Sequence, residues 1–129
     1  MLTEQTADPP LEGLEPVASA ADAISLAEEA KAIFVEESLN RYVVALLRAT
    51  RADSRLYLGA SPRAGIALLR VAKARALADG RGYLEPDDVK GVAAAVLSHR
   101  LILAPEARSS GLTGEQIVQQ TLDKTPVPV

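Results

Sequence analysis

The sequence contains no cysteine and no tryptophan, and only three tyrosines and one phenylalanine among its 129 residues. The absence of cysteine excludes disulfides, zinc–thiolate sites and thiol nucleophiles. No apolar run approaches the roughly 20 residues that a membrane-spanning helix needs. The first ten residues carry Glu4 and Asp8 but no basic residue, the reverse of a signal peptide. We therefore expect one cytoplasmic domain, long enough to bury a core of its own.

Charge is distributed unevenly along the chain, whose formal net charge is −3. Residues 1–40 carry one basic and nine acidic side chains, residues 41–75 carry eight basic and one acidic, and residues 76–129 carry five basic and seven acidic. The total argues against a general nucleic-acid or membrane binder. Two interpretations stay open: the acidic first segment folds against the basic middle one, or part of the basic segment faces an anion.

The spacing of apolar residues predicts an all-α fold, a bundle of about five helices with a core of Leu, Ile, Val and Ala. The predicted helices run from about Ala20 to Lys31, from Glu36 to about Arg51, from Pro62 to a glycine stop at Gly80, from Pro86 to about His99, and from Thr113 onwards. Prolines and a glycine predict a linker over residues 1–18, which leaves residues 19–124 as the folded domain and residues 125–129 as a tail.

Apolar stripes predict which helix faces are buried. The second helix carries the stripe Leu39, Tyr42, Val43, Leu46 and Leu47, and the first carries Ala23, Ile24, Ala27 and Ala30. The hydroxyl of Tyr42 is expected at the surface. Leu56–Leu58 predicts a short, buried, strand-like segment ahead of Gly59.

Few side chains suit catalysis. His99, the only histidine, lies beside Arg100 at a helix end, where the helix dipole favours an imidazolium. Asp87 and Asp88 are expected to serve the first turn of a helix rather than a metal or acid–base site, because adjacent helical residues point about 100° apart. Ser109–Gly111 predicts a loop. No Gly-x-x-x-x-Gly-Lys-Ser/Thr motif is present, so we expect the chain alone not to transfer phosphoryl groups.

The strongest local pattern is Gly59-Ala60-Ser61-Pro62-Arg63-Ala64. Ser61 can cap the free amides of a helix, and Pro62 suits its first position. Arg63 then falls in the first turn, where the helix dipole disfavours a cation. A bound anion would reverse that effect, because helix amino ends and guanidinium groups both bind phosphate. Arg63 is therefore a candidate phosphate contact, and the alternative is a solvated arginine paired with a carboxylate.

From about Leu14 to Pro128 the chain resembles the carboxy-terminal lid of MoxR-type AAA+ ATPases. The matching pieces, in order, are Leu14-Glu15-Pro16-Val17, Arg48-Ala49-Thr50-Arg51, the Gly59–Ala64 segment, Pro86-Asp87-Asp88-Val89-Lys90, His99-Arg100-Leu101 and Thr125-Pro126-Val127-Pro128. Each piece is weak alone, but together and in this order they are specific. The resemblance implies that Ser61, Pro62 and Arg63 form the sensor 2 element, with Arg63 reaching the terminal phosphates of the nucleotide when the lid closes.

The resemblance also implies a larger assembly. ATP and Mg would be bound mainly by an amino-terminal core carrying Walker motifs that these 129 residues lack, and residues 1–18 would link that core to the lid. The parent protein would be an ATPase, and this chain would be inactive alone. Hexameric rings, contacts with the core and with neighbouring subunits, von Willebrand A-domain partners and a chaperone-like role in maturing protein complexes are further implications.

Two other functions stay open on the residues alone. A nucleic-acid-binding module would use the basic stripe Arg41, Arg48, Arg51, Arg55, Arg63, Arg70, Lys73 and Arg75. The acidic total and the few aromatic residues for base stacking argue against it. A stand-alone helical bundle that binds other proteins would need neither nucleotide nor core.

Overall fold

The computed structural model describes residues 13–127, a range dominated by helices. The elements are α1 (Ala20–Ala32), α2 (Glu37–Ala52), β1 (Leu56–Leu58), α3 (Pro62–Ala78), α4 (Pro86–Leu97), a 3-10 turn (Ser98–Arg100), β2 (Ile102–Leu103), α5 (Pro105–Ser109) and α6 (Gly114–Lys124). The prediction of an all-α bundle is confirmed. β1 and β2 form a small antiparallel pair, with Leu56 opposite Leu103 and Leu58 opposite Ile102. Within the described range no helix combines the length and apolar character needed to cross a membrane.

Capping residues begin the helices where the sequence predicts. The Ser19 hydroxyl accepts a hydrogen bond from the Asp22 amide (3.1 Å), while the Asp22 carboxylate accepts one from the Ser19 amide (2.7 Å). The Ser19 hydroxyl also donates to the Asp22 carboxylate (2.7 Å), and this bond together with the one from the Ser19 amide stabilises the charged form, so the pKa of Asp22 lies below its ordinary value. Thr113 and Gln116 form the same reciprocal box at the start of α6. After the carboxyl end of α3, Gly80 adopts the left-handed conformation (φ 74°) that stops the helix.

The core lies where α3 and α4 pack together and where α6 contacts both α4 and α2. All five residues of the predicted α2 stripe are buried, which confirms that prediction. The largest fully buried side chains are Leu46, Leu68, Leu97, Ile117, Val89, Val118 and Thr50. Burial of such aliphatic side chains stabilises the fold by about 1.5–3 kcal/mol each.

Three predictions about buried surface are wrong. No residue of α1 is buried, and Ile24 from its apolar stripe is 65% exposed. β1 exists, but only Leu56 is partly buried, whereas Tyr57 is 80% exposed. The hydroxyl of Tyr42 is buried without a hydrogen-bond partner instead of reaching the surface. Burial also raises the pKa of that phenol, because its charged form is poorly solvated there.

Two other boundaries differ from the predictions. α4 ends at Leu97, and His99 lies in the 3-10 turn that follows it, where its Nε2 accepts a hydrogen bond from Arg100 Nε (3.2 Å). The predicted loop Ser109–Gly111 overlaps the short helix α5 only at Ser109, and Ser110 and Gly111 form a turn. Residues 13–18 contain neither helix nor strand. The rest of the predicted linker and residues 128–129 of the predicted tail lie outside the described residues.

A buried ion pair joins the end of α3 to the start of α4. Arg81 donates two hydrogen bonds to the Asp88 carboxylate, at 2.7 Å and 2.6 Å, and the Glu85 amide donates a third at 2.9 Å. Asp88 is 2% exposed. Its pKa is lowered chiefly by the Arg81 hydrogen bonds, against the opposing effect of burial. Through its bond from the Glu85 amide, Asp88 serves the first turn of α4 as predicted, whereas its pair with Arg81 was not predicted.

We expect Asp88→Asn to lower the free energy of unfolding at pH 7 by about 3 kcal/mol, because it removes one partner of a buried pair. Urea denaturation followed by circular dichroism measures this. Asp87→Asn is the matched control, since the neighbouring side chain is 88% exposed and its change should stay within about 0.5 kcal/mol. Equal effects of the two substitutions would contradict the assigned role of the pair.

The same pair predicts a pH dependence. The folded-state pKa of Asp88 lies below its unfolded-state pKa. The contribution of Asp88 to the free energy of unfolding is therefore fully present above the unfolded-state pKa of about 3.9, and it is lost as pH falls through the folded-state pKa. The stability difference between the wild type and Asp88→Asn should therefore shrink on acidification below about pH 4. Thermal unfolding at several pH values tests this, and a difference that stays constant down to pH 2 would contradict it.

Candidate functional site

The candidate site is the amino end of α3. Ser61 is the N-cap: its side chain accepts a hydrogen bond from the Ala64 amide (3.3 Å), and its carbonyl accepts from the amides of Ala64 and Gly65. Pro62 occupies the first turn, where its missing N–H costs nothing. Arg63 follows in the same turn, with an exposed side chain. The local structure predicted for Ser61 and Pro62 is confirmed, while phosphate contact by Arg63 stays a prediction.

Two residues at the end of α2 hold the chain just before this cap. The Thr50 hydroxyl accepts a hydrogen bond from the Ala60 amide (3.0 Å) and donates one to the Leu47 carbonyl (2.8 Å). Arg51 Nε donates to the Ala60 carbonyl (2.9 Å). Both backbone groups of Ala60 are therefore bonded to α2 side chains, although Ala60 is fully buried and out of reach of water.

Close packing completes this attachment. A Cβ atom on Gly59 would lie 2.7 Å from the backbone N and Cα of Arg51, so only glycine permits this approach. A Cβ atom on Gly65 would lie 2.7 Å from the Leu47 side chain. Glycine is thus used twice for proximity between α2 and the start of α3 rather than for a positive φ.

The charge around Arg63 is not neutralised by neighbouring carboxylates. Within residues 13–127 no carboxylate lies within ion-pair distance of Arg63. In that range the basic segment 41–75 forms three ion pairs, which are Arg41 with Glu37, Arg55 with Asp53, and Arg75 with Asp88. Only Glu37 belongs to the acidic segment 1–40, and its pair with Arg41 is long (3.9 Å) and exposed. The described residues therefore do not show the first segment neutralising the basic one.

An open groove of about 710 Å³ lies between α1 and α3. Its lining includes Ile66, one helical turn after Arg63, and Leu69 on the same helix. Arg70 and Lys73 add positive charge, and Lys73 donates a hydrogen bond to the carbonyl of Lys31 on α1 (2.9 Å). Neither cation has a carboxylate within ion-pair distance in the part of the chain that the structure describes, and an apolar surface beside such cations suits a ligand with an apolar ring and an anionic group.

The other sequence candidates lie away from this site. His99 is in the turn after α4, and Asp88 faces Arg81. Asp87 is exposed, with its nearest cation at 3.5 Å on Lys90. Within residues 13–127 no three His, Asp or Glu side chains gather in a way that could hold a metal ion.

Comparison with known proteins identifies the fold. The AAA lid domain family matches residues 48–121, more than half of the chain. A crystal structure of a proposed ATPase from Cytophaga hutchinsonii superposes with a TM-score of 0.83 at 35% identity, covering 89% of this chain and 38% of that one. The chain belongs to the AAA lid domain family.

Three curated relatives place it within that family. The chain is 38% identical to the uncharacterized protein YeaC of Bacillus subtilis, in a match that covers 100% of this chain. It is 34% identical to the chaperone MoxR1 of Mycobacterium tuberculosis over 87% of this chain, and 33% identical to the protein MoxR of Methylorubrum extorquens over 75% of this chain. The chain is a MoxR-type AAA+ lid domain. It spans 40%, 32% and 32% of the lengths of these relatives, respectively.

The sequence predicted no contact between the end of α2, at Thr50 and Arg51, and the segment around Gly59: Arg51 was assigned to a helix end and a basic stripe, and Thr50 and Gly59 only to matching segments. Their contacts join residues about ten positions apart, which no local pattern encodes. A signal was nevertheless present, because Gly59 directly follows the predicted strand-like segment Leu56–Leu58. Such a glycine often marks a close backbone approach.

We expect Gly59→Ala to destabilise the chain by about 1–3 kcal/mol, because the added methyl collides with α2 backbone that cannot move aside. Chemical denaturation measures the loss. Gly82→Ala is the matched control, since a Cβ there meets nothing within 4 Å and the residue has no positive φ. An equally stable Gly59→Ala variant would show that this approach is looser than described.

Proposed function

We propose that this chain is the lid of a MoxR-type AAA+ ATPase that closes over nucleotide, with Ser61, Pro62 and Arg63 as its sensor 2 element. The observation that carries the proposal is Arg63, an arginine in the first turn of α3 with no carboxylate partner in the described range. A cation is unfavourable at a helix amino end unless an anion joins it. The family supplies the anion, since AAA+ ATPases bind nucleotide.

The chain's own residues suit part of a nucleotide site. The amino end of α3 offers partial positive charge, and the Arg63 guanidinium offers a planar donor set that matches phosphate oxygens. Ser61 keeps this end in place through its bond to the Ala64 amide. ATP supplies the phosphoryl group that is cleaved, and Mg and most of the nucleotide contacts are assigned to an ATPase core.

Charge then couples the lid to the nucleotide state. Contacts between Arg63 and the terminal phosphate stabilise the closed position of the lid, and loss of that phosphate weakens them. Because α3 is packed into the bundle, a shift at Arg63 moves the whole domain. The lid would pass this movement to neighbouring subunits of a hexameric ring.

We also propose a cellular setting for this activity. The proposed role is chaperone-like maturation of protein complexes in the cytoplasm, and the one support among the relatives is that one of them is named a chaperone. Its partners would be an ATPase core, adjacent subunits and proteins with von Willebrand A domains. Neither membrane nor nucleic-acid binding is part of the proposal.

We expect Arg63→Ala, made in the ATPase that carries this lid, to lower turnover at saturating ATP by at least about tenfold, because a charge-stabilising contact is lost. Arg63→Lys should recover only part of it, since lysine keeps the charge but not the planar donor set. Steady-state ATP hydrolysis measures both. Arg108→Ala, an exposed arginine on α5, is the matched control.

The fold provides a second check. In the 129-residue chain, Arg63→Ala should leave the melting temperature unchanged or slightly higher, because it removes an unfavourable first-turn cation. Unchanged turnover together with an unchanged fold would contradict the proposal. A large loss of stability would instead give Arg63 a structural role.

A further inference from the structure

The Thr50 side chain connects two elements through one oxygen atom. Its hydroxyl donates to the Leu47 carbonyl in α2 and accepts from the Ala60 amide, the residue directly before Ser61. Thr50 is 1% exposed and Ala60 is fully buried, so water cannot replace this bond. The amide of Ala60 would be left unsatisfied without it.

The attachment point is adjacent to the candidate site. Ala60 immediately precedes the cap, and Arg63 lies three residues further along, in the turn that Ser61 closes. Arg51 Nε fixes the carbonyl of the same residue. The position at which the chain enters α3 is therefore set at Ala60, three residues before Arg63.

We infer that Thr50 is a positioning residue, which holds the amino end of α3 so that Arg63 is presented to the nucleotide. This inference rests on the proposed function of Arg63. Thr50 does not itself contact the ligand, because the hydrogen of its hydroxyl is already donated to the Leu47 carbonyl. Its effect on ATP hydrolysis should therefore pass entirely through Arg63.

The chain offers a matched control for a merely structural role. Thr121 on α6 is also buried, and its hydroxyl donates to the Ile117 carbonyl of its own helix (2.8 Å). Thr121→Val removes the same atom from a buried site as Thr50→Val does. It leaves the segment before α3 untouched.

The first experiment uses the 129-residue chain and amide hydrogen exchange measured by NMR. Thr50→Val should speed exchange at the Ala60 amide by about tenfold relative to Thr121→Val, because the amide loses its only partner. Thr50→Ser keeps the hydroxyl and should restore protection. Equal protection of Ala60 in Thr50→Val and Thr121→Val would overturn the inference.

The second experiment measures ATP hydrolysis in the ATPase that carries this lid. Thr50→Val should lower kcat by about tenfold, with Thr50→Ser and Thr121→Val near wild type. If Thr50 acts through Arg63, the double variant Thr50→Val/Arg63→Ala should be no slower than Arg63→Ala alone. Additive losses would overturn the inference.

The outcomes separate this inference from the proposed function. Reduced turnover in Arg63→Ala with normal turnover in Thr50→Val would overturn the positioning role and leave the sensor role standing. Normal turnover in both variants would overturn both. Reduced turnover in both, without additivity and with rescue by Thr50→Ser, is the expected result.

Discussion

The approach of the Gly59–Ala60 segment to the last turn of α2 determines where the amino end of α3 lies. That approach requires a residue without Cβ at Gly59 and a buried hydroxyl that can satisfy the Ala60 amide. Because proteins rarely leave a buried amide unpaired, packing and hydrogen bonding act here as one constraint. That constraint determines the position of Arg63.

Specific contacts also fix the carboxyl end of α3. Gly80 ends the helix, and Arg81 then turns to the buried Asp88 carboxylate at the start of α4. α3 is 17 residues, or about 25 Å, long, and it is attached to α2 at one end and to α4 at the other. An exposed arginine on such a helix can transmit a local electrostatic change to the whole domain. The proposed response to nucleotide needs both a fixed scaffold and a charge that no carboxylate among the described residues neutralises.

The parts of the structure that local chemistry controls were predictable from the sequence. Ser61 and Pro62 begin α3 as expected, and the apolar stripe on α2 is buried. Periodicity shows that a helix face is apolar but not what covers it, which is why the exposure of Ile24 on α1 was not predicted. The five-residue helix α5 is too short to display a period. The role of Thr50 depends on tertiary contact, which only the folded arrangement reveals.

The central claim is that Arg63 contacts the terminal phosphate of ATP in the closed lid. A crystal structure of the ATPase that carries this lid, bound to a non-hydrolysable ATP analogue and Mg, tests it most directly. The account predicts the Arg63 guanidinium within about 2.7–2.9 Å of a terminal phosphate oxygen, with the Thr50–Ala60 hydrogen bond intact. A closed lid in which Arg63 points to solvent, or pairs with a carboxylate, would contradict it.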